Sequence, residues 1–277
     1  MIQNNLQWTS PDGLNFFAHT WQPDNKPQAV ITLVHGLGEH CLRYTPYFDF
    51  LVKNNIAILG FDLRGHGQTE GKRGVIKSYQ RLLDDIDIAV LKTKELFPDI
   101  PHFIYGHSMG GNLALNYLMR KNHNLTGGII TSPWLILAND PNFILKAIVS
   151  FLKGLLPNIT IDSGLEIDYI SSDKNEVEKY RNDKLNHGRI SFKLFSTITS
   201  SGIWAIANIK KLQTPILLMH GSGDKITSHQ ASKLIAKNNP DFIEYVEWEN
   251  RYHELHNETN RPNVAQKVID WIKAKTK

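Results

Sequence analysis

The sequence predicts an α/β fold with a mainly parallel, doubly wound central sheet. Short apolar runs that are typical of buried strands alternate with stretches whose apolar residues recur at helical spacing. Three of the runs end in loops that contain glycine, at residues 35–40, 62–67 and 106–111. Nearly continuous apolar strands indicate a parallel sheet because helices cover both of its faces.

Length and composition fit this fold class and exclude others. A chain of 277 residues suits one large domain, or one domain that carries an insertion. An apolar fraction of 41% is enough to build a core, which excludes global disorder. The net charge of +4 is mild and its residues are scattered, so we expect no nucleic-acid partner.

The single cysteine and the polar N-terminus predict the compartment. Cys41 is the only cysteine, which excludes an internal disulfide framework. Residues 1–5 lack the apolar segment of a signal peptide, and no run of 18 or more apolar residues suggests a membrane span. We therefore expect a soluble, cytoplasmic protein, and the sequence leaves its oligomeric state open.

The first third of the chain predicts a hairpin followed by strand–helix units. Residues 6–9 and 14–21 alternate as strands do, and the Ser-Pro-Asp-Gly turn at residues 10–13 separates them. The elements predicted next are a central strand at 29–35, a helix at 47–51, a strand at 56–61 and a long helix at 83–97.

The alternation of strands and helices stops in the middle of the chain and then resumes. Its predicted elements are strands at 103–105 and 127–131 around a helix at 113–119, then strands at 215–220 and 242–248, a helix at 231–236 and a last helix through 264–271. Residues 134–207 are helical and irregular. We therefore predict a core domain formed by 1–133 and 208–277, with 134–207 as a helical insertion before the strand that carries the acid.

The pattern Gly-x-Ser-x-Gly at Gly106, Ser108 and Gly110 predicts a catalytic nucleophile. It lies between a short apolar strand and an apolar helix, which is the context of a nucleophile elbow. The tight turn crowds the backbone around Ser108, and the glycines relieve that crowding because they have no Cβ. An ordinary serine in a glycine-rich turn is the alternative interpretation, which the strand–helix context disfavours.

A serine hydroxyl needs a base, and the base needs an orienting acid. In this architecture the order along the chain is serine, acid, histidine. Asp224 follows the strand at 215–220, and His253 follows the strand at 242–248. His256 competes with His253, but it is farther from the strand end. Asp62 is an alternative acid by position, although it precedes Ser108 in the chain.

Two backbone amides are predicted to stabilise the oxyanion that forms during attack. One is the N–H of Met109, the residue after the nucleophile. The other is the N–H of Leu37, because glycines flank Leu37 in the loop at 35–38 and let its backbone turn inward. The alternative interpretation of this loop is a simple glycine turn.

The remaining histidines predict no metal site or cofactor. None of them has the His-Glu-x-x-His spacing of a zinc site. His107 lies inside the elbow and is interpreted as structural. The others at strand ends are His35, His40, His66 and His220.

Together, these motifs resemble the monoacylglycerol lipase and lysophospholipase group of α/β-hydrolases. The similar segments are residues 35–40 with Arg43 and Tyr44, and residues 61–67, 106–111, 220–224 and 252–258. The last segment, Tyr-His-Glu-Leu-His-Asn-Glu, supports His253 over His256. The similarity spans nearly the whole chain and is weakest in the insertion.

The resemblance implies an α/β-hydrolase fold, a cap over the site and hydrolysis of an acyl ester. The implied substrate is a small lipid such as a monoacylglycerol or a lysophospholipid. Two alternatives stay open: a thioesterase or other acyl hydrolase on the same scaffold, and a non-catalytic binding protein, which the complete triad disfavours.

One helix of the insertion is too apolar to stand free in water. Its apolar residues at helical spacing are Phe143, Ile144, Ala147, Ile148, Phe151, Leu152 and Leu155. It could pack onto the sheet or onto other cap helices. The sharper hypothesis is a lid in which Ile148, Phe151 and Leu152 line an acyl-chain pocket. The rest of its apolar surface would then touch a membrane or a lipid aggregate transiently.

Overall fold

The computed structural model describes residues 1–139, 149 and 151–276. The strands are β1 (Ile2–Thr9), β2 (Asn15–Gln22), β3 (Ala29–Val34), β4 (Ile56–Phe61), β5 (His102–His107), β6 (Gly127–Thr131), β7 (Thr160–Asp162), β8 (Arg189–Ser191), β9 (Ile216–Gly221) and β10 (Ile243–Trp248). The α-helices are α1 (Thr45–Val52), α2 (Tyr79–Leu96), α3 (Met109–Arg120), α4 (Lys174–Asn182), α5 (Phe192–Ala207), α6 (His229–Asn238) and α7 (Arg261–Lys275). Short 3₁₀ turns cover Cys41–Tyr44, Ile167–Tyr169, Ile209–Lys211 and Leu255–Asn257.

Eight strands form one twisted sheet in the order β1-β2-β4-β3-β5-β6-β9-β10. From β4 to β10 the neighbouring strands are parallel, whereas β1 and β2 pair antiparallel with each other, as β2 does with β4. The central strands are therefore those that the sequence predicted from continuous apolar runs. Their carboxyl ends meet at one edge of the sheet, where the loops that follow β3, β5, β6 and β9 gather.

The sheet separates two hydrophobic layers. On β9, Leu217 and Met219 pack into the layer that contains Trp21, Phe48 and α7. Their neighbours on the strand, Ile216 and Leu218, pack into the layer with α2, α3 and α5. Successive side chains of a strand point to opposite faces, so a strand that is covered on both sides must be apolar throughout.

The N-terminal hairpin is longer than the sequence predicted. The strand predicted at 6–9 begins at Ile2, and Ile2 pairs with Gln22 at the far end of β2. Residues 2–5 are exposed at the edge of the sheet. Backbone pairing and a 2.8 Å contact between Asn5 Oδ1 and His19 Nδ1 hold them, and neither leaves a hydrophobic pattern in the sequence.

Residues 134–207 lie between β6 and β9, as predicted, but their described part is not purely helical. It contains α4, α5 and a two-stranded antiparallel sheet in which Ile161 pairs with Ile190. Strands of three residues are too short to show an alternating pattern. The predicted domain boundaries at 133/134 and 207/208 stay a prediction. The apolar helix predicted from Phe143 lies outside the described residues up to 148, while 151–155 are helical.

The inserted segment is hydrogen-bonded to the loops of the core. The His187 N–H donates to the Gly38 carbonyl at 2.8 Å, and the Ser191 N–H donates to the Gly74 carbonyl at 2.9 Å. His40 Nε2 lies 2.8 Å from Asp183 Oδ2. Within the described residues, the search for a long apolar helix that could cross a membrane finds none.

Candidate active site

Ser108 lies in the turn between β5 and α3 and has a left-handed backbone, with φ of 53° and ψ of −117°. Non-glycine residues seldom adopt such a conformation, and it marks positions where the surrounding structure holds strain. Its N–H donates to the Thr131 carbonyl at 3.0 Å. A Cβ on Gly106 would lie 2.5 Å from the carbonyl oxygen of Gly110. A Cβ on Gly110 would lie 2.0 Å from the Val34 carbonyl oxygen, so both positions require glycine.

Asp224 lies in the loop after β9, and its carboxylate is fully engaged. Oδ1 accepts the backbone N–H groups of Ile226 at 2.7 Å and Thr227 at 3.0 Å. Burial opposes ionisation, but the neighbouring His253 and hydrogen bonds from His220 and His253 hold the pKa of Asp224 well below its usual range. The acid is therefore an ionised acceptor at neutral pH.

His253 lies in the loop after β10 and pairs with Asp224. Its Nδ1 is 2.7 Å from Asp224 Oδ2. An ionised carboxylate only accepts, so Nδ1 carries the proton and Nε2 keeps its lone pair. Burial lowers the pKa of His253, but the charge of Asp224 and the hydrogen bond outweigh burial, and the net pKa is raised above 6.5. This is the orientation that a general base requires.

The predicted nucleophile and the predicted base line the same cavity. Ser108 and His253 both line a cavity of about 160 Å³ at the carboxyl edge of the sheet. Within the described residues no hydrogen bond joins their side chains. Such contacts are often long before substrate binds and tighten in the complex. Ser108, Asp224 and His253 thus lie on the loops after β5, β9 and β10, where His253 contacts Asp224 and shares the cavity with Ser108, and their catalytic roles stay a prediction.

His256 and Asp62 are engaged elsewhere. His256 is in the 3₁₀ turn after His253, and its ring stacks on Tyr44 with centroids 4.0 Å apart. Asp62 accepts the backbone N–H groups of Cys41 and Gln68, so its carboxylate holds two loops. His107 is buried beside the site, with its Nδ1 3.1 Å from Thr131 Oγ1.

The predicted oxyanion donors lie on either side of Ser108. Met109 is the first residue of α3, where backbone N–H groups have no partner within the helix. Leu37 lines the cavity, and neither amide donates to an acceptor among the residues that the structure describes. Gly38 after it has φ of 76°, and a Cβ there would meet the His187 carbonyl oxygen at 2.1 Å.

A buried ionic cluster joins the loop after β3 to the histidine loop. Arg43 donates to both carboxylate oxygens of Glu254 at 2.7 Å and to Glu39 at 2.8 Å. Burial opposes ionisation of Glu254, yet Arg43 lowers the pKa of that carboxyl. Burial raises the pKa of Glu39, which accepts the Gly36 N–H at 2.6 Å. Arg43 also lies over the Tyr180 ring of the insertion, at 4.5 Å.

The apolar wall of the cavity differs from the one the sequence predicted. It is formed by Leu37, Trp134, Leu137, Leu165, Ile170, Phe195 and Ile226. Phe151 and Leu152 are not brought to it. Phe151 is 68% exposed and is not among the residues that line the cavity. Ile148 lies outside the described residues.

Sequence reasoning missed the polar residues behind the triad. Ser132 has φ of 43° and donates its hydroxyl to the His253 carbonyl at 2.8 Å. Thr227 Oγ1 lies 3.0 Å from Asp224 Oδ2, and His220 Nε2 lies at the same distance from that oxygen. The sequence marks His220 only as a strand-end histidine without metal-site spacing and as the first residue of the similar segment 220–224, and no motif marks the others. Among the described residues, no cluster of three or more His, Cys, Asp or Glu side chains is arranged to hold a metal ion.

The sheet order, the elbow after β5, and the acid and histidine on later loops define an α/β-hydrolase with a serine nucleophile site. The chain belongs to the serine aminopeptidase S33 hydrolase family, whose sequence model matches residues 25–260. The predictions of the fold and of a serine hydrolase that cleaves carboxylic esters are thereby confirmed.

Curated relatives extend the similarity over most of the chain. A monoglyceride lipase of Rattus norvegicus is 31% identical over 94% of this chain and 86% of its own length. A Bacillus subtilis protein named phospholipase YtpA is 32% identical over 88% of this chain and 95% of its own. A Dictyostelium discoideum abhydrolase domain-containing protein is 38% identical over 92% of this chain, which spans only 27% of that longer protein.

Solved structures of two monoacylglycerol lipases are similar to this chain as well. A soluble variant of a Saccharomyces cerevisiae monoglyceride lipase in complex with a substrate analogue aligns with a TM-score of 0.91 and 25% identity. The alignment covers 100% of this chain and 97% of that one. A monoacylglycerol lipase of Paleococcus ferrophilus aligns with a TM-score of 0.85 and 25% identity, covering 94% of this chain and 99% of the other.

Proposed function

We propose that this enzyme hydrolyses the carboxylic ester of a lipid with a single acyl chain, through an acyl-enzyme formed on Ser108. The observation that carries the proposal is the 2.7 Å bond between His253 Nδ1 and Asp224 Oδ2, at a cavity that His253 shares with Ser108. An oriented imidazole with a free Nε2 beside a strained serine is the machinery of acyl transfer.

In the first half of the reaction, Ser108 Oγ attacks the ester carbonyl carbon and its proton passes to His253 Nε2. The imidazolium is stabilised by Asp224. As the tetrahedral intermediate collapses, the bond to the alcohol oxygen breaks and His253 returns the proton to that oxygen. Water then attacks the acyl-enzyme by the same route, which releases the fatty acid and restores Ser108.

The developing oxyanion would accept hydrogen bonds from the backbone N–H groups of Leu37 and Met109. The loop is held on both sides of Leu37, because the Gly36 N–H donates to Glu39 and the Gly38 carbonyl accepts from the His187 N–H. Fixed donors are effective because they need no reorganisation as charge develops.

The lining of the cavity favours a substrate with one apolar arm and one polar end. The apolar wall suits an acyl chain, while Glu39, Glu254 and Lys225 line the same cavity and suit a hydroxylated or charged head group. The names of the relatives point the same way, because they include monoglyceride lipases and a phospholipase. We therefore place monoacylglycerols and lysophospholipids ahead of thioesters.

We also propose that the insertion at 134–207 caps this site and touches lipid surfaces. Phe151, Leu155, Leu156, Ile159 and Ile161 are exposed, and 64% of Leu155 is accessible. Exposed apolar residues grouped along one short stretch are typical of interaction surfaces. Transient contact with a lipid aggregate would bring the cavity to substrates that do not dissolve in water.

The test combines a fluorophosphonate probe with a substrate panel. The probe should label the wild-type enzyme and leave Ser108→Ala unlabelled, because the phosphonate reacts with an activated serine. The panel contains monoacylglycerols, lysophospholipids, acyl-CoA thioesters and short aryl esters. We expect turnover of the two lipid classes to exceed that of the thioesters.

Failure would take distinct forms. Absence of labelling together with absence of any hydrolysis would overturn the acyl-enzyme. Labelling with preferred turnover of thioesters would keep the acyl-enzyme but reject the lipid-ester assignment.

A further inference from the structure

A second histidine binds the oxygen of Asp224 that orients the base. Asp224 Oδ2 is 2.7 Å from His253 Nδ1 and 3.0 Å from His220 Nε2. The other ring nitrogen of His220, Nδ1, is 2.8 Å from Ser232 Oγ on α6. All of these groups are buried, so water does not compete for the contacts.

The contacts fix the protonation of His220. Asp224 is an ionised acceptor, so His220 Nε2 must carry a hydrogen to approach it at 3.0 Å. The Nδ1 atom then accepts from the Ser232 hydroxyl. Burial lowers the pKa of His220 although Asp224 opposes this, so the ring is a neutral donor at neutral pH.

Asp224 Oδ2 accepts from His220 Nε2 and from the Thr227 hydroxyl as well as from His253 Nδ1, and this sharing lowers the negative charge that His253 meets. A hydrogen bond from His220 stabilises the carboxylate and draws part of its charge away from the base. Resting on the function proposed above, we propose that His220 is a positioning residue that holds Asp224 in place and lowers the basicity of His253. His220 acts through Asp224 and does not touch the substrate.

Other ionisable groups face the same pair. His253 also faces His107, with ring centroids 4.7 Å apart, and it lies in the field of Glu39, Glu254 and His256. The ring of His220 also faces the ring of His229 on α6, with centroids 6.3 Å apart. Substitution of His220 leaves all of these groups in place, so a change in the titration of His253 reports the lost donor.

The experiment compares two replacements of His220. His220→Gln keeps an N–H donor of similar reach, and His220→Leu keeps bulk but has no donor. The readout is the pH profile of kcat/KM on a water-soluble aryl ester, whose acid limb reports the pKa of the base in the free enzyme. Wild-type turnover and fluorophosphonate labelling are measured first.

We expect the acid limb of His220→Leu to move to higher pH by about half a unit to one unit, because Asp224 then supports the imidazolium more strongly. The plateau should fall about tenfold as Asp224 loses an anchor. His220→Gln should restore the wild-type limb. If the leucine variant does not fold, Ser232→Ala should move the limb in the same direction by less.

The inference would be overturned if the acid limb of His220→Leu stayed at the wild-type pH. If the leucine variant does not fold, an unchanged acid limb in Ser232→Ala would overturn it. A glutamine variant whose limb moves as far as that of leucine would do so as well. These outcomes differ from failure of the proposed function, in which the wild-type enzyme itself would neither react with the probe nor hydrolyse the ester.

Discussion

The cluster around Asp224 and the outer surface of the insertion use their side chains in opposite ways. Both oxygens of Asp224 accept hydrogen bonds from groups inside the protein, and the cluster is buried. The segment from Phe151 to Ile161 instead leaves large apolar side chains in solvent. Under the proposed function, the chemistry depends on internal hydrogen bonds, whereas access to lipid substrate would depend on surface side chains that have no internal partner.

The largest expected effect is on the chemical side of this comparison. Ser108→Ala should lower kcat by about 10⁶, because loss of the nucleophile leaves only the oxyanion donors and binding. The measurement is ester turnover by the purified variant. The melting temperature of the variant is the control. Alanine keeps a Cβ at the strained turn, so the fold should be unaffected. Turnover that survives in the variant would reject the nucleophile.

Removing the charge of the acid should also have a severe effect, although a smaller one than loss of the nucleophile or of the base. Asp224→Asn should lower kcat by about 10⁴, because an amide can donate to His253 Nδ1 and hold the wrong tautomer. The same assay measures it. Asp62→Asn is the matched control, since Asp62 holds loops through Cys41 and Gln68. A mild effect at Asp224 with a severe, fold-preserving one at Asp62 would exchange their roles.

The pH dependence of activity tests the effect of Asp224 on the pKa of His253. His253 must be neutral to act as a base, and its pKa is raised above 6.5 by Asp224 in spite of burial. Activity should therefore fall as pH drops through a value above 6.5, and the acid limb should lie higher than that of an ordinary imidazole. The profile of kcat/KM measures this. An acid limb below that of a free imidazole would contradict it.

Of the two histidines in this loop, the smaller effect on activity is expected at His256. His253→Ala should fall to near the level of Ser108→Ala, whereas His256→Ala should keep most of the activity. His256 stacks on Tyr44 and has no bond to Asp224, so its loss should mainly lower the melting temperature. The reverse ranking would move the base three residues along the chain.

The smallest effect on hydrolysis of a soluble substrate should come from substitutions on the outer surface of the insertion. Phe151→Ser with Leu155→Ser should leave hydrolysis of a short aryl ester within about twofold, while turnover of long-chain monoacylglycerol in vesicles falls about tenfold or more as surface contact is lost. Vesicle co-sedimentation tests the contact itself. Leu91→Ser with Leu234→Ser, two exposed residues on helices of the core, is the matched control. Equal losses on both substrates would reject the lipid contact.

The sequence alone determined the sheet and the order of its reacting groups. Nearly continuous apolar runs identified β3, β4, β5, β6 and β9, because strands covered on both faces cannot be polar, while the edge strand β10 was identified from its place in the strand–helix alternation. The spacing of Gly106, Ser108 and Gly110 predicted the elbow, since only glycine permits such close backbone contacts. Strand-end positions selected Asp224 and His253, and parallel strands bring their carboxyl ends together.

Contacts between residues distant in the chain determine which groups surround the reacting atoms. The pairing of Arg43 with Glu254 joins residues far apart in the chain, and no local pattern encodes it. No local pattern places Ser132 and His220 behind the triad. The parallel pairing of β6 with β9 brings the ends of those strands together there. The exposure of Phe151 outside the cavity was also unpredictable, because helical spacing marks an apolar face but not what that face contacts.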